Sequence, residues 1–180
     1  MLYFWKEDKI IMKKITVALL LFLTLLACER DDICSESNTT ARIKIAFFDA
    51  NLPNEDAPKT VFKLRVQGVG NDNVLEGYNA TDKSDMLLPL KTTENTTQYK
   101  VHKNYSVDDN DNILGNEDII TISYTLEQEY LSRACGYKTV FKNVTITVED
   151  DGNTWIQNIL PANDNLIVDN EDEIHYNIYH

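Results

Sequence analysis

Residues 119–126 read Ile-Ile-Thr-Ile-Ser-Tyr-Thr-Leu. Ile120, Ile122, Tyr124 and Leu126 fall on one side of an extended chain, with Thr121, Ser123 and Thr125 on the other, the period of two that marks a half-buried strand. The β-branched residues of 119–125 fit a pleated surface better than a helix. The same alternation recurs outward in both directions. Upstream, Ile43, Ile45 and Phe47 share one face of a run that begins at Ala41, and Phe62, Leu64 and Val66 alternate with Lys63 and Arg65. Residues 86–90 form a shorter run that Pro89 limits to an edge or a strand end, and Tyr99 and Val101 mark another strand. Downstream, Val144, Ile146 and Val148 are expected to point inward, and residues 155–160 and 174–179 supply the last strands. Asp151-Gly152 lies between two strand-like runs and predicts a hairpin. Residues 126–134 are the one segment that fits a short helix, and a continuing strand fits them equally.

Seven to nine short strands separated by polar turns predict an all-β fold, an antiparallel β-sandwich of immunoglobulin-like or transthyretin-like form. The reading makes residues 41–180 a single domain, preceded by a polar linker at 35–40.

The N-terminal part has a different logic. Met12-Lys13-Lys14 is a short basic start, and residues 15–27 (ITVALLLFLTLLA) are apolar apart from two threonines, the layout of a secretory signal. The run is too short to span a bilayer, which takes about 20 apolar residues, and it stops abruptly at Cys28-Glu29-Arg30-Asp31-Asp32. Leu25-Leu26-Ala27-Cys28 resembles the lipobox of bacterial lipoproteins, which implies cleavage before Cys28 and a diacylglyceryl thioether on its sulfur. Residues 1–11 precede the better start at Met12 and are read as an extension from a wrongly chosen start codon. Residues 28–40 then form a lipidated N-terminus and short tether.

Residues 1–27 hold four lysines and two acidic residues, so the remaining 153 residues carry 13 basic and 27 acidic side chains, a net charge of −14. Such a surface repels phosphate backbones and speaks against nucleic-acid binding. With Cys28 lipidated, Cys34 and Cys135 remain as an even pair in a compartment where disulfides form, and a bridge between them is expected, the alternative being two unreactive thiols. Six residues separate Cys34 from Cys28 and extend at most about 20 Å, so a bridged Cys34 would keep its end of the fold near the membrane.

Chemistry-bearing patterns are sparse. His102, His175 and His180 have no zinc-ligand spacing, and no Gly-x-Ser-x-Gly occurs. We therefore expect no enzyme, no cofactor and no metal. Asp108, Asn110 and Asn112 match the first half of a calcium loop, but Ile113 stands where its glycine belongs and Ile119 where its bidentate Glu belongs, so a solvated acidic turn is the simpler reading. Trp155 is expected as a core anchor, with a ligand-stacking platform as the alternative.

Cys28-Glu29-Arg30-Asp31-Asp32-Ile33-Cys34, residues 42–49 (RIKIAFFD), Leu88-Pro89-Leu90, residues 132–137 (SRACGY) and residues 174–178 (IHYNI) together resemble a family of uncharacterised flavobacterial lipoproteins of unknown function. The resemblance implies an outer-membrane or surface location and supplies no activity. Glu29, Arg30, Asp31 and Asp32 also resemble the charged signal that sends some lipoproteins of these bacteria to the cell surface; an acidic, solvated linker is the other reading. The expectation is thus a lipid-anchored envelope protein, either an accessory or scaffold subunit of an outer-membrane protein complex, such as one built on a β-barrel, or a module that binds a glycan or small ligand. Intact-mass measurement of the native protein is expected to find an acylated Cys28 at the N-terminus and two alkylations only after reduction. Alkylation of Cys34 and Cys135 without reductant would remove the bridge.

Overall fold

The longest strand among the described residues contains the 119–126 stretch, and its neighbours follow from where its apolar face is buried. The computed structural model describes Cys34, residues 40–52 and residues 57–180. The strands are β1 (Ile43–Phe48), β2 (Val61–Gly68), β3 (Thr81–Lys83), β4 (Asp85–Leu88), β5 (Thr96–Val107), β6 (Ile113–Ser132), β7 (Gly136–Val148), β8 (Asn158–Pro161) and β9 (Tyr176–Tyr179). They form an all-β sandwich of two sheets, ordered β4-β1-β9-β8 and β3-β2-β5-β6-β7. Pairing is antiparallel except between β1 and β9, which run parallel with Ile45 opposite Tyr176 and Phe47 opposite Ile178. Two units are distinguished in the chain, Met1–Ser37 with Leu131–Gly136, and Asn38–Tyr130 with Tyr137–His180. The sandwich core belongs to the second.

Alternation places the core as expected along β1, β5 and β6. Ile43, Ile45, Phe47, Val101, Ile120 and Ile122 are fully buried between the sheets, with Tyr99 and Tyr124 nearly so. Residues 126–132 continue β6 as a strand and form no helix. In β2 the expectation fails at one residue: Val61, Leu64 and Val66 are buried, while Phe62 is 58% exposed. The register against β3 shifts between Val61 and Leu64, and Lys63 sits at a φ of 45°. The bulge adds one residue and turns Phe62 to the outer face.

The expected hairpin at Asp151-Gly152 is absent. After β7 the chain crosses to the other sheet, where β8 pairs with β9. The N–H groups of Trp155 and Ile156 are captured by the buried Asp118 carboxylate of β6, which outweighs the local turn preference. The last strands are accordingly shorter than expected, 158–161 and 176–179.

The β5–β6 hairpin has its own bulge, a register shift between Lys103 and Ser106, with Asn104 at φ 56° and Gly115 at φ 110°. A Cβ on Gly115 would lie 2.5 Å from Lys103 O, 2.7 Å from Asn104 O and 2.8 Å from His102 Nε2. Two of these neighbours are backbone, which cannot move aside cheaply. Gly115→Ala is expected to destabilise the fold by roughly 2–4 kcal/mol, read as a lower urea midpoint; an unchanged midpoint would mean that the bulge relaxes.

Candidate functional site

Three places gather groups that matter for function: a polar cluster buried between the sheets, a cleft beside β2 and β5, and the disulfide. The buried cluster is built on Asp118, 1% exposed. Its Oδ2 accepts from Ile156 N at 2.9 Å and from Trp155 N at 3.1 Å. Burial raises the carboxyl above its usual range, against the pull of these two N–H groups. Trp155 thereby enters the core, 7% exposed, with its ring centroid 6.3 Å from Phe47 and its indole N–H donated to Val101 O at 3.1 Å. It is a core anchor, and the stacking-platform alternative has no exposed ring to use.

His180 closes the other side of the indole, its ring centroid 5.6 Å away. Lys103 Nζ donates to His180 Nδ1 at 3.0 Å and lies 5.4 Å from the indole centroid. An ammonium donor at Nδ1 leaves the ring proton on Nε2, which faces Lys59 O at 3.3 Å. Lys59 Nζ in turn reaches His180 O at 2.8 Å and the Asp49 carboxylate at 3.0 Å. Burial first, and the Lys103 ammonium second, push the His180 imidazole down to about 4. Burial also lowers Lys103, with Lys59 repulsion adding to it and Asp118 opposing. Each ionisable group here is turned to a neighbour within the fold, so the cluster acts as an internal clamp.

The cleft, about 340 Å³, lies between the loop after β2 and the segment joining β4 to β5. Val69, Leu75, Leu90 and Tyr99 supply its apolar lining and Asn71, Glu76, Lys91 and Gln98 polar groups. A closed chain of hydrogen bonds supports its floor: Lys91 N donates to Thr97 Oγ1 at 2.9 Å, Thr97 Oγ1 to Tyr124 OH at 2.6 Å, and Tyr124 OH to Lys91 O at 2.8 Å.

Among the positions singled out in the sequence, Cys34 and Cys135 are disulfide-bonded, with Cα atoms 4.9 Å apart. Cys28, Glu29, Arg30, Asp31 and Asp32 lie outside the described residues. Asp108 caps its own turn: Oδ1 accepts the N–H of Asn110 at 2.9 Å and of Asn112 at 2.8 Å, and Oδ2 the Asn112 amide at 2.9 Å. The Asn112 side chain and these N–H groups hold the Asp108 carboxyl below its usual range. Its oxygens thus close the β5–β6 hairpin. His175 is 6% exposed, its N–H and Nδ1 both paired with the Lys44 main chain.

Sequence reasoning missed Asp118, Lys103 and His180. Asp118 sits in an acidic stretch and Lys103 in a polar one, and only the cross-sheet packing of Trp155 brings them together. The cleft left no sequence signal, since it depends on loop path.

The model of a family of unknown function (DUF6452) matches residues 63–180. This is more than half of the chain, and the chain belongs to that family. No curated protein and no solved structure matches it.

The clamp has a pH signature. The folded chain holds His180 neutral down to about 4, whereas the unfolded chain takes up the proton near 6.5. Its contribution is therefore present above 6.5 and lost as pH falls toward 4, by at most about 3 kcal/mol. The raised Asp118 works in the opposite sense, because the folded chain protonates it first. His180→Gln is expected to flatten the stability profile across that window, measured by urea unfolding at a series of pH values. An unaltered slope would mean that another group carries it.

Proposed function

We propose that this member of the DUF6452 family is a non-enzymatic, lipid-anchored lipoprotein of the bacterial cell envelope, an accessory or scaffold subunit docked on another envelope protein such as an outer-membrane β-barrel. The observation that carries the reading is the Cys34–Cys135 bond. With Cys28 as the acylated residue, the bond shortens the tether to six residues, about 20 Å at full extension. A chain anchored through so short a tether meets membrane-embedded proteins before soluble ones. Two or three acyl chains make such an anchor permanent.

Further support comes from how the ionisable groups are used. Asp118, His180, Lys103 and His175 are consumed by internal contacts, which leaves them structural work in place of chemistry. The chain's net charge of −12 disfavours nucleic acid as a partner. A small-ligand module is the second reading, favoured by the 340 Å³ cleft, whose size suits one sugar ring or a short acyl group.

Chemical cross-linking in intact cells followed by purification of the full chain is expected to recover one envelope protein in constant ratio. The Cys34→Ser/Cys135→Ser chain should lower that yield. Recovery of the protein alone, under conditions that preserve known envelope complexes, would overturn the scaffold reading and leave the ligand module.

A further inference from the structure

β7 is the outermost strand of its sheet. Over its middle it is covered: Phe141 N donates to Val168 O at 3.1 Å, Val168 N to Phe141 O at 2.8 Å, and Val144 N to Leu166 O at 3.0 Å. Asn143, at φ 52°, supplies the extra residue between these contacts. Beyond Val144 the covering segment departs. Glu149 N donates inward, to Ile119 O of β6 at 2.9 Å. Main-chain directions alternate along a strand, so Thr145 and Thr147 also face β6, and Ile146 and Val148 turn their N–H and C=O groups to the open edge. Among the described residues no strand lies beside them. Their side chains are half-buried and form one wall of a cleft of about 310 Å³, with Ile156 and Ile159 on the other.

The facing edge, β8, is closed to pairing. Ile159 N is taken by Asn158 Oδ1 at 3.0 Å, and Pro161 has no N–H to give. A strand entering this slot has β7 alone to pair with.

We infer that the Thr145–Val148 edge of β7 accepts an extended strand from a protein partner, one with branched apolar residues at alternate positions and Lys or Arg at the end that meets Glu149, Asp150 and Asp151. The inference rests on the accessory-subunit reading and names its docking surface. Main-chain bonds to Ile146 and Val148 supply affinity, and alternate side chains dropping toward Ile156 and Ile159 supply selectivity. The three consecutive acidic residues at one end of the slot select a basic terminus, and a net charge of −12 opposes a second copy of this chain. Antiparallel pairing, the direction Leu166–Val168 already takes along β7, places the basic end at the N-terminus of the docked strand.

The test uses the full chain with its disulfide intact and a synthetic peptide of two lysines followed by alternating threonine and valine. Amide hydrogen exchange is read residue by residue. Bound peptide is expected to slow exchange at Ile146 and Val148 about tenfold or more while leaving Thr145 and Thr147, already in the β6 ladder, unchanged. Asp150→Lys/Asp151→Lys should weaken binding about tenfold. Ile146→Pro removes an N–H that serves no native ladder bond and should abolish binding. The charge variant keeps the test decisive if the proline variant fails to fold. Absence of binding overturns the inference, as does binding that leaves the Ile146 and Val148 amides unaltered. Slow exchange of those amides in the protein alone, with a dimer mass in solution, overturns it in favour of a second copy. In cells, equal recovery of a cross-linked partner by the wild-type and Asp150→Lys/Asp151→Lys chains would sink this docking site and keep the accessory reading. Peptide binding without any recovered partner would do the reverse.

Discussion

Asp118 is a carboxylate enclosed in an apolar sandwich, and such a group is tolerable only when its oxygens are filled with donors. Trp155 and Ile156 supply them from a segment that has just left β7, the edge strand beside β6. Loss of the carboxylate would strand two buried N–H groups, at about 1–3 kcal/mol each. The bond therefore decides where the chain crosses between sheets. It delivers Trp155 against Phe47 of β1 and gives its indole N–H the Val101 carbonyl of β5. His180, just past β9, then packs against the indole and takes the Lys103 ammonium. One contact on β6 thus organises β1, β5 and the end of β9.

What could be read in the sequence follows the same division. Period-two alternation gave the sandwich and the inward residues of β1, β5 and β6, because burial of one face is a local pattern. The cysteine pairing was legible once Cys28 was read as the lipidated residue, since that reading left two thiols. Phe62 was misplaced because a bulge inverts the alternation at one residue, and the positive φ of Lys63 that marks it leaves no compositional trace. The Asp151-Gly152 hairpin failed because a contact from residue 118 overruled a two-residue turn signal. His175 and His180 carried no spacing signal, yet both rings end in tertiary hydrogen bonds. The misses thus cluster where a polar group is buried, which alternation cannot foresee.

Edges show a further economy. β3 is three residues long, β8 ends in proline with the Ile159 N–H capped by Asn158, and Leu166–Val168 lies over the middle of β7. Short length, proline and coverage are the usual defences against edge-to-edge association. The Thr145–Val148 edge has only the acidic run that follows it. Charge of one sign protects against a copy of itself and leaves the edge open to the opposite sign, so the same residues can both prevent self-association and select a partner.

The β6–β7 hairpin poses the complementary problem. β5 pairs with β6 only as far as Ser123, and from there the hairpin is a two-stranded ribbon, which is marginal in water on its own. Cross-strand pairs between Glu127 and Lys142, Glu129 and Lys138, and Tyr130 and Tyr137 line it. Exposed ion pairs contribute less than about 1 kcal/mol each, and an aromatic pair roughly 0.5–1.5 kcal/mol. The disulfide falls in the turn of this ribbon and joins residues 101 apart in sequence, a closure that stabilises by about 4–5 kcal/mol in the chain-entropy account. Covalent closure is thus strongest where non-covalent pairing is weakest.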